Sequence, residues 1–200
     1  MTWLVILLIA GAVAAWILVA LYNRLVRLRN GTVNALAQID VQLKRRYELI
    51  PNLVDVARKY LQHESETLLA VIAARNQADG LRQQWQGGHG ASAEMAQALQ
   101  RADRSVQSGL GRLFALAESY PDLKADAALR DLSDELAHTE NRVSFSRQAY
   151  NDAVLTFNTA AQSFPANVVA GLFGFQPLAM LQSTASEEER ATVRVRMNAR

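Results

Sequence analysis

Residues 3–43 read WLVILLIAGAVAAWILVALYNRLVRLRNGTVNALAQIDVQL, and two patterns meet in this stretch. From Trp3 to Tyr22 no residue is charged and most are apolar. At about 1.5 Å rise per residue that run spans ~30 Å, the hydrocarbon thickness of a bilayer. From Leu21 the apolar positions become periodic, at Leu25, Leu28, Thr32, Ala35, Ile39 and Leu43. Alternating steps of four and three mark a helix seam packed at a shallow angle on other helices. A membrane-spanning helix is therefore expected to run unbroken into a helical body. Gly31 is its weak point, ~1 kcal/mol less favourable than Ala.

A cleaved signal peptide is the competing reading of the N-terminus, and Ala12-Val13-Ala14 supplies an A-x-A step. No Lys or Arg precedes the apolar run, and it continues through Trp16, Ile17 and Leu18, which favours an uncleaved anchor over residues 1–23. Trp3, Trp16 and Tyr22 are the aromatic residues of the span, with Trp3 and Tyr22 near its ends, where such rings prefer the headgroup level. Arg24, Arg27 and Arg29 follow at once, then Lys44, Arg45 and Arg46, against one acid, Asp40. The positive-inside rule predicts a short external N-terminus, one span of the cell's inner membrane and a cytoplasmic body. The absence of cysteine agrees with a reducing compartment.

Beyond the anchor the chain is rich in helix-forming residues, and its prolines, at 51, 121, 165 and 177, punctuate it. Pro51 is expected to open a second helix, with a seam at Leu53, Ala57, Tyr60, Glu64, Thr67, Val71, Ala74 and Ala78. Gln86-Gly87-Gly88-His89-Gly90 predicts a loop and Ser92 an N-cap. A third helix follows Met95, Leu99, Ala102, Val106, Gly109, Leu113 and Leu116 to Tyr120-Pro121. The fourth carries the longest seam, from Leu132 through Leu136, Thr139, Val143, Ser146, Tyr150, Ala153, Phe157 and Ala160 to Phe164. The fold expected is all-α: a transmembrane helix continuing into a long antiparallel four-helix bundle over residues 24–163.

In that topology the fourth helix returns to the membrane. It is followed by FPANVVAGLFGFQPLAML, residues 164–181, without a charge and too interrupted by Pro165, Gly171, Gly174 and Pro177 to form a span. One reading folds this segment over the open end of the bundle, filling it with Phe164, Val168, Leu172 and Phe173. The other makes Phe164, Pro165, Val168, Leu172, Phe173 and Phe175 an interfacial patch or a subunit contact. Trp85, in the other loop expected on the membrane side, is placed at the same headgroup level. Residues 182–200 lack an apolar face and read as a mobile tail.

Signatures of chemistry are missing. No cysteine and no GxxxxGK[ST] loop is present. His63-Glu64 starts a zinc-protease motif, but Thr67 stands where the second histidine belongs. Glu135 and His138 form one Glu-x-x-His pair, and a di-iron bundle needs two. With a net charge of +2 and no basic cluster interleaved with aromatics, a nucleic-acid surface is not expected either. Neither a cofactor nor a small-molecule substrate is expected, and the reading is non-enzymatic. One repeated step stands out: Tyr150-Asn151 and Phe157-Asn158, seven apart on one helix face, echoing Tyr22-Asn23. It is either a polar ladder across the bundle or a contact for a ligand or partner.

Taken together, YNRLVRLRN after the span, AQIDVQLKRRYELIPNLVDVARKY around Pro51, HESETLLAVIAARNQA, LFALAESYPDLKA, LAHTENRVSFSRQAYNDAVLTFNT and FPANVVAGLFGF resemble the LemA family. They cover nearly the whole chain in order. The resemblance implies one N-terminal span, a small outside N-terminus and a cytoplasmic helical body, and it brings no catalytic site. Two roles are consistent with these features. The first, favoured, is a membrane-anchored scaffold that self-associates through its helix faces and the 164–181 segment and organises or shapes the inner membrane, with lipid and further copies of itself as partners. The second is a membrane-tethered adaptor or signalling protein that recruits a cytoplasmic partner.

Overall fold

The seam that starts at Leu21 does continue the span. In the computed structural model, which describes residues 1–87 and 93–181, one helix, α1, runs from Thr2 to Arg58. Its 57 residues extend ~85 Å at helical rise. The side chains of residues 1–20 are all exposed, and α1 is the one helix among the described residues long and apolar enough to cross a membrane. Leu25 is the first buried side chain, and Thr32, Ile39, Leu43, Arg46, Ile50, Leu53 and Ala57 carry the seam onward.

The boundary expected at Pro51 is absent: the proline lies inside α1. Proline removes one i→i−4 hydrogen bond and leaves the carbonyl of residue i−4 without its donor. Here that carbonyl belongs to Tyr47, and Arg75 supplies the replacement, its Nε donating to Tyr47 O at 2.9 Å. The break comes later, in the turns at residues 59–64, so Glu64 lies in a turn and not on a helix seam.

Helix α2 (Ser65–Gly87) doubles back along α1, as Arg75 at Tyr47 and Arg82 at Asp40 show. Helix α3 (Ala93–Ala117) packs on α2 with Gly109 against Val71, where an added Cβ would lie in van der Waals contact, 3.4 Å from Val71 Cγ2. A five-residue helix unforeseen in the sequence, α4 (Pro121–Ala125), turns the chain. It leads into α5 (Ala127–Gln162), whose N-cap Asp126 accepts from the amides of Ala128 and Leu129. Helix α5 runs antiparallel to α1, with Glu135 paired to Arg45 and Ala160 and Ala161 against Leu25. Its seam ends at Ala160 and Ala161, so Phe164 falls beyond the helix. A last short helix, α6 (Ala166–Leu172), crosses back onto α1.

The protein is all-α, with no strand among the described residues. Helices α1, α2, α3 and α5 line one core built on Tyr47, Ile50, Leu53, Val71, Val106, Leu113, Val143 and Val154. A second, smaller cluster joins α1, α5 and α6 where α1 leaves its apolar span. Residues 88–90 of the Gly-rich loop, the Ser92 cap and the 182–200 tail lie outside the described residues.

Candidate functional site

The end of the body next to the span is built by α5, α6 and the chain after them. Ser163 closes α5 with its backbone N–H and hydroxyl both on Thr159 O, at 3.0 and 2.7 Å. Pro165 then caps α6. Ala166, Val169 and Ala170 are buried, and their small size lets α6 lie close to Leu25, Ala160 and Ala161. Gly174 ends α6 at φ 71°, a left-handed conformation that a side chain disfavours. The Phe175 amide returns to Ala170 O at 2.9 Å, the six-to-one bond of a Schellman ending. That turn drives Phe175 between Tyr22 of α1 and Phe157 of α5, with ring centroids 5.8 and 6.3 Å away, and Phe173 stacks on Tyr22 at 4.8 Å.

The two asparagines seven apart hold the next stretch of chain. Asn158 gives its Nδ2 to Leu178 O and takes the Leu178 amide on Oδ1, both at 2.9 Å. Asn151 does the same with Leu181, at 2.8 Å for each bond. Tyr150 adds a hydroxyl bond to Ala179 O at 3.2 Å. The spacings explain the match. Seven residues of helix rise ~10.5 Å, and three residues of extended chain cover ~10 Å. Each carboxamide thus stands in for a neighbouring peptide group, and 178–181 is strapped along α5. The polar ladder is real, but its partner is the chain's own C-terminal side. Burial pushes the Tyr150 hydroxyl pKa up, so it stays a donor.

Other positions singled out in the sequence fall differently. Phe164, Val168, Leu172 and Phe173 do not plug the core; they are 84, 62, 73 and 53% exposed, because the small face of α6 is the one turned inward. Trp85 lies on α2 and not in a loop. It is buried in the main core at 7% exposure. The Arg82–Asp40 pair places it beside the helix turn before Asp40, ~20 Å along α1 from Tyr22. Trp3, Trp16, Arg24, Arg27 and Arg29 are exposed along α1. Glu135 pairs with Arg45 and His138 is exposed, and no group of metal-ligating side chains occurs among the described residues.

A buried charge cluster escaped the sequence reading. Asp103 of α3, 1% exposed, accepts from Arg46 Nη1 at 3.2 Å, from the Tyr47 hydroxyl at 3.1 Å and from Arg147 Nη2 at 2.9 Å. Arg46 also reaches Glu140 at 2.6 Å, an off-axis ion pair, and Gln107 donates to the other Glu140 oxygen at 2.8 Å. Two cations and two anions therefore balance where α1, α3 and α5 meet. Burial first, then Asp103, holds the Tyr47 hydroxyl firmly protonated. Asp103 does have a signature: Leu99, Asp103, Val106, Leu110 and Leu113 step by four and three, so an acid sits on a seam. Arg46 sits likewise between Leu43 and Ile50 on α1. The cluster ties α1, α3 and α5 together, with Arg46 Nε and Glu140 Oε2 buried and without a hydrogen-bond partner.

Comparison with known proteins finds relatives of this chain by sequence. MamQ 2, a magnetosome protein of Paramagnetospirillum magneticum, is 25% identical over 171 residues that cover 78% of this chain and 62% of that protein. The MamQ of Magnetospirillum gryphiswaldense is 24% identical over 169 residues with the same coverage. Protein LemA of Metamycoplasma hominis is 27% identical over 171 residues, 86% of this chain and 72% of that protein. The chain thus spans under two thirds of the length of the MamQ relatives. The sequence profile of the LemA family matches residues 35–197, from the first turns of the body onward. With four fifths of its length matched in this way and an apolar helix leading into it, this membrane-associated all-α chain belongs to the LemA family.

Proposed function

We propose that this protein is a non-enzymatic, membrane-anchored scaffold that self-associates and so organises or shapes the inner membrane. The observation that carries the reading is the outer surface of α1 and α5. Val33 and Val41 on α1 and Phe145 and Leu155 on α5 are 58, 53, 71 and 54% exposed although none belongs to the span. The antiparallel register puts Val41 near the height of Phe145 and Val33 near that of Leu155. Apolar side chains on two rigid neighbouring helices suit helix-to-helix contact between copies. Because α1 is one helix from the span into the core, each copy would meet the next at a fixed angle to the membrane. Self-association would then impose a defined geometry on the bilayer. The charge pattern Arg24, Arg27, Arg29 supports a body on the cytoplasmic side.

Light scattering of full-length protein in mild detergent, with electron microscopy of the same peak, tests the reading. A large regular assembly is expected. A monodisperse monomer, both in detergent and in lipid nanodiscs, overturns it and turns the weight to an adaptor that holds a cytoplasmic partner.

A further inference from the structure

We propose that α6 is a second membrane contact, in which Phe164, Val168, Leu172 and Phe173 lie in the interfacial layer of the same bilayer that α1 crosses. Val168 and Leu172 are four residues apart on α6, which puts them on one side of that helix, and they are exposed, as is Phe164 just before it. On the opposite side Ala166 is buried, and Val169 and Ala170 pack against α1 and α5. The short helix is therefore apolar on both sides, with Ala166, Val169 and Ala170 facing protein and Val168 and Leu172 facing out.

Its position selects the occupant. Phe173 rests on Tyr22, the last aromatic of the span, so the exposed face is level with the point where α1 leaves the apolar run. All of α1 before Leu21 is uncovered by the body, so a bilayer around it reaches this shoulder without obstruction. The approach is also free of charge: from Ala153 to Leu181 there is no Asp, Glu, Lys or Arg. No ionised group of α5 or α6 would need desolvating as the shoulder enters the headgroup region. Arg24, Arg27 and Arg29, on the next turns of α1, stand where lipid phosphates would be. Large apolar side chains with aromatic neighbours, at the end of a span, match the interfacial layer and not water. Span and shoulder together give two points of attachment, which fix the tilt and rotation of the body. The proposal rests on α1 being embedded and is independent of self-association.

The chain has no cysteine, so single-cysteine labelling is clean. Leu172→Cys, Val168→Cys and Phe164→Cys, each carrying an NBD fluorophore, are reconstituted as full-length protein at high dilution. The vesicles are phosphatidylethanolamine and phosphatidylglycerol, with or without shallow doxyl-labelled phosphatidylcholine. Asp134→Cys, exposed on α5 and ~40 Å along it from the shoulder, is the water-exposed control. Blue-shifted emission, loss of most intensity to the doxyl lipid and protection from iodide are expected at the three shoulder sites only. Iodide quenching equal to that at position 134 overturns the proposal. So does shielding from both quenchers, or shielding that disappears as protein is diluted in lipid, since either marks contact with another copy. In unlabelled protein with Trp3 and Trp85 replaced by Phe, quenching of Trp16 fluorescence by deep doxyl lipid reports the anchor separately. Its absence would overturn membrane embedding itself, and the proposal with it.

Discussion

Arg75 of α2 donates through Nε to the carbonyl oxygen of Tyr47, the acceptor that Pro51 cannot serve. One guanidinium thus keeps α1 helical across a proline and ties it to α2. The same side chain also reaches Asn76 Oδ1 at 3.2 Å and Asp79 at 3.5 Å, so its position is held from its own helix. Arg75→Ala leaves a buried carbonyl unsatisfied and is expected to cost about 1–3 kcal/mol in denaturant unfolding of the detergent-solubilised protein. In a Pro51→Ala background the residue 51 amide supplies the missing donor, and the cost of Arg75→Ala should fall. A double-mutant cycle reads this coupling directly, and strict additivity would sink the account.

Asp103 makes a second, sharper prediction. It takes hydrogen bonds from three side chains on two other helices at 1% exposure. Asp103→Ala strands Arg46, itself 3% exposed, with only the off-axis Glu140 beside it. Breaking a buried pair from one side costs about 3–5 kcal/mol. The exposed Lys44–Glu48 pair serves as contrast: Glu48→Gln should change stability by about 0.5 kcal/mol or less. Urea midpoints of the two variants, compared at constant slope, give the answer, and similar values would refute the assignment of Asp103 as the hub.

Asn158 predicts a local effect in place of a global one. Its carboxamide holds both backbone groups of Leu178. Asn158→Asp keeps an acceptor for the Leu178 amide but loses the donor to its carbonyl, whereas Asn158→Leu loses both. Hydrogen exchange at the amides of Leu178 and Leu181 should accelerate in the order Leu above Asp above wild type, with core amides of α1 unaffected. Uniform exchange across the three proteins would show that the strap is held by other contacts.

These cases mark how far the sequence reaches. The continuation of the span into the body, the long last helix and the break at Pro121 follow from apolar periodicity and proline chemistry. Pro51 misled because a proline's local rule was outweighed by a partner on another helix, and a tertiary hydrogen bond leaves no trace in local pattern. Asn151 and Asn158 were visible as a pair, but their partners at 178 and 181 carry no periodicity. Asp103 and Arg46 were legible in principle, as opposite charges on the seams of two helices. Reading the α3 seam through Ala102 instead of Asp103 hid them. On α6, composition marked the segment as apolar, but only the packing decides which of its residues face protein and which face out.

Far from the span, Tyr60 donates its hydroxyl to Asp126 Oδ2 at 2.9 Å, linking the end of α1 to the N-cap of α5. The Tyr60 hydroxyl first, then the Leu129 amide, hold the Asp126 carboxyl below the usual carboxylate range. A folded-state pKa below the unfolded one means that the unfolded chain binds more protons on the acid side. The contribution is complete above about pH 4 and is lost as pH falls through the folded value. Tyr60→Phe brings the two values closer, the Leu129 amide still holding the folded one down, so stability should depend less steeply on pH below about 4 than in the wild type. Stability measured between pH 5 and pH 3 checks the sign, and a steeper acid limb in the variant would contradict it.

Two glycines six residues or fewer apart from the shoulder's core contacts should respond oppositely to the same methyl group. Gly171 is helical, exposed, and has nothing within 4 Å of an added Cβ. Gly171→Ala should stabilise α6 by up to ~1 kcal/mol through helix propensity. Gly174 also has open space around its Cβ, but its φ of 71° is left-handed. Gly174→Ala therefore costs about 1–2 kcal/mol with no steric clash at all, purely from backbone conformation. Loss of that turn would release the Phe175 amide from Ala170 and withdraw the ring from between Tyr22 and Phe157. Exchange at the Phe175 amide should slow in Gly171→Ala and quicken in Gly174→Ala. Equal effects of the two substitutions would mean that space, and not φ, governs this turn, and the Schellman ending would lose its role in aiming Phe175 at the span.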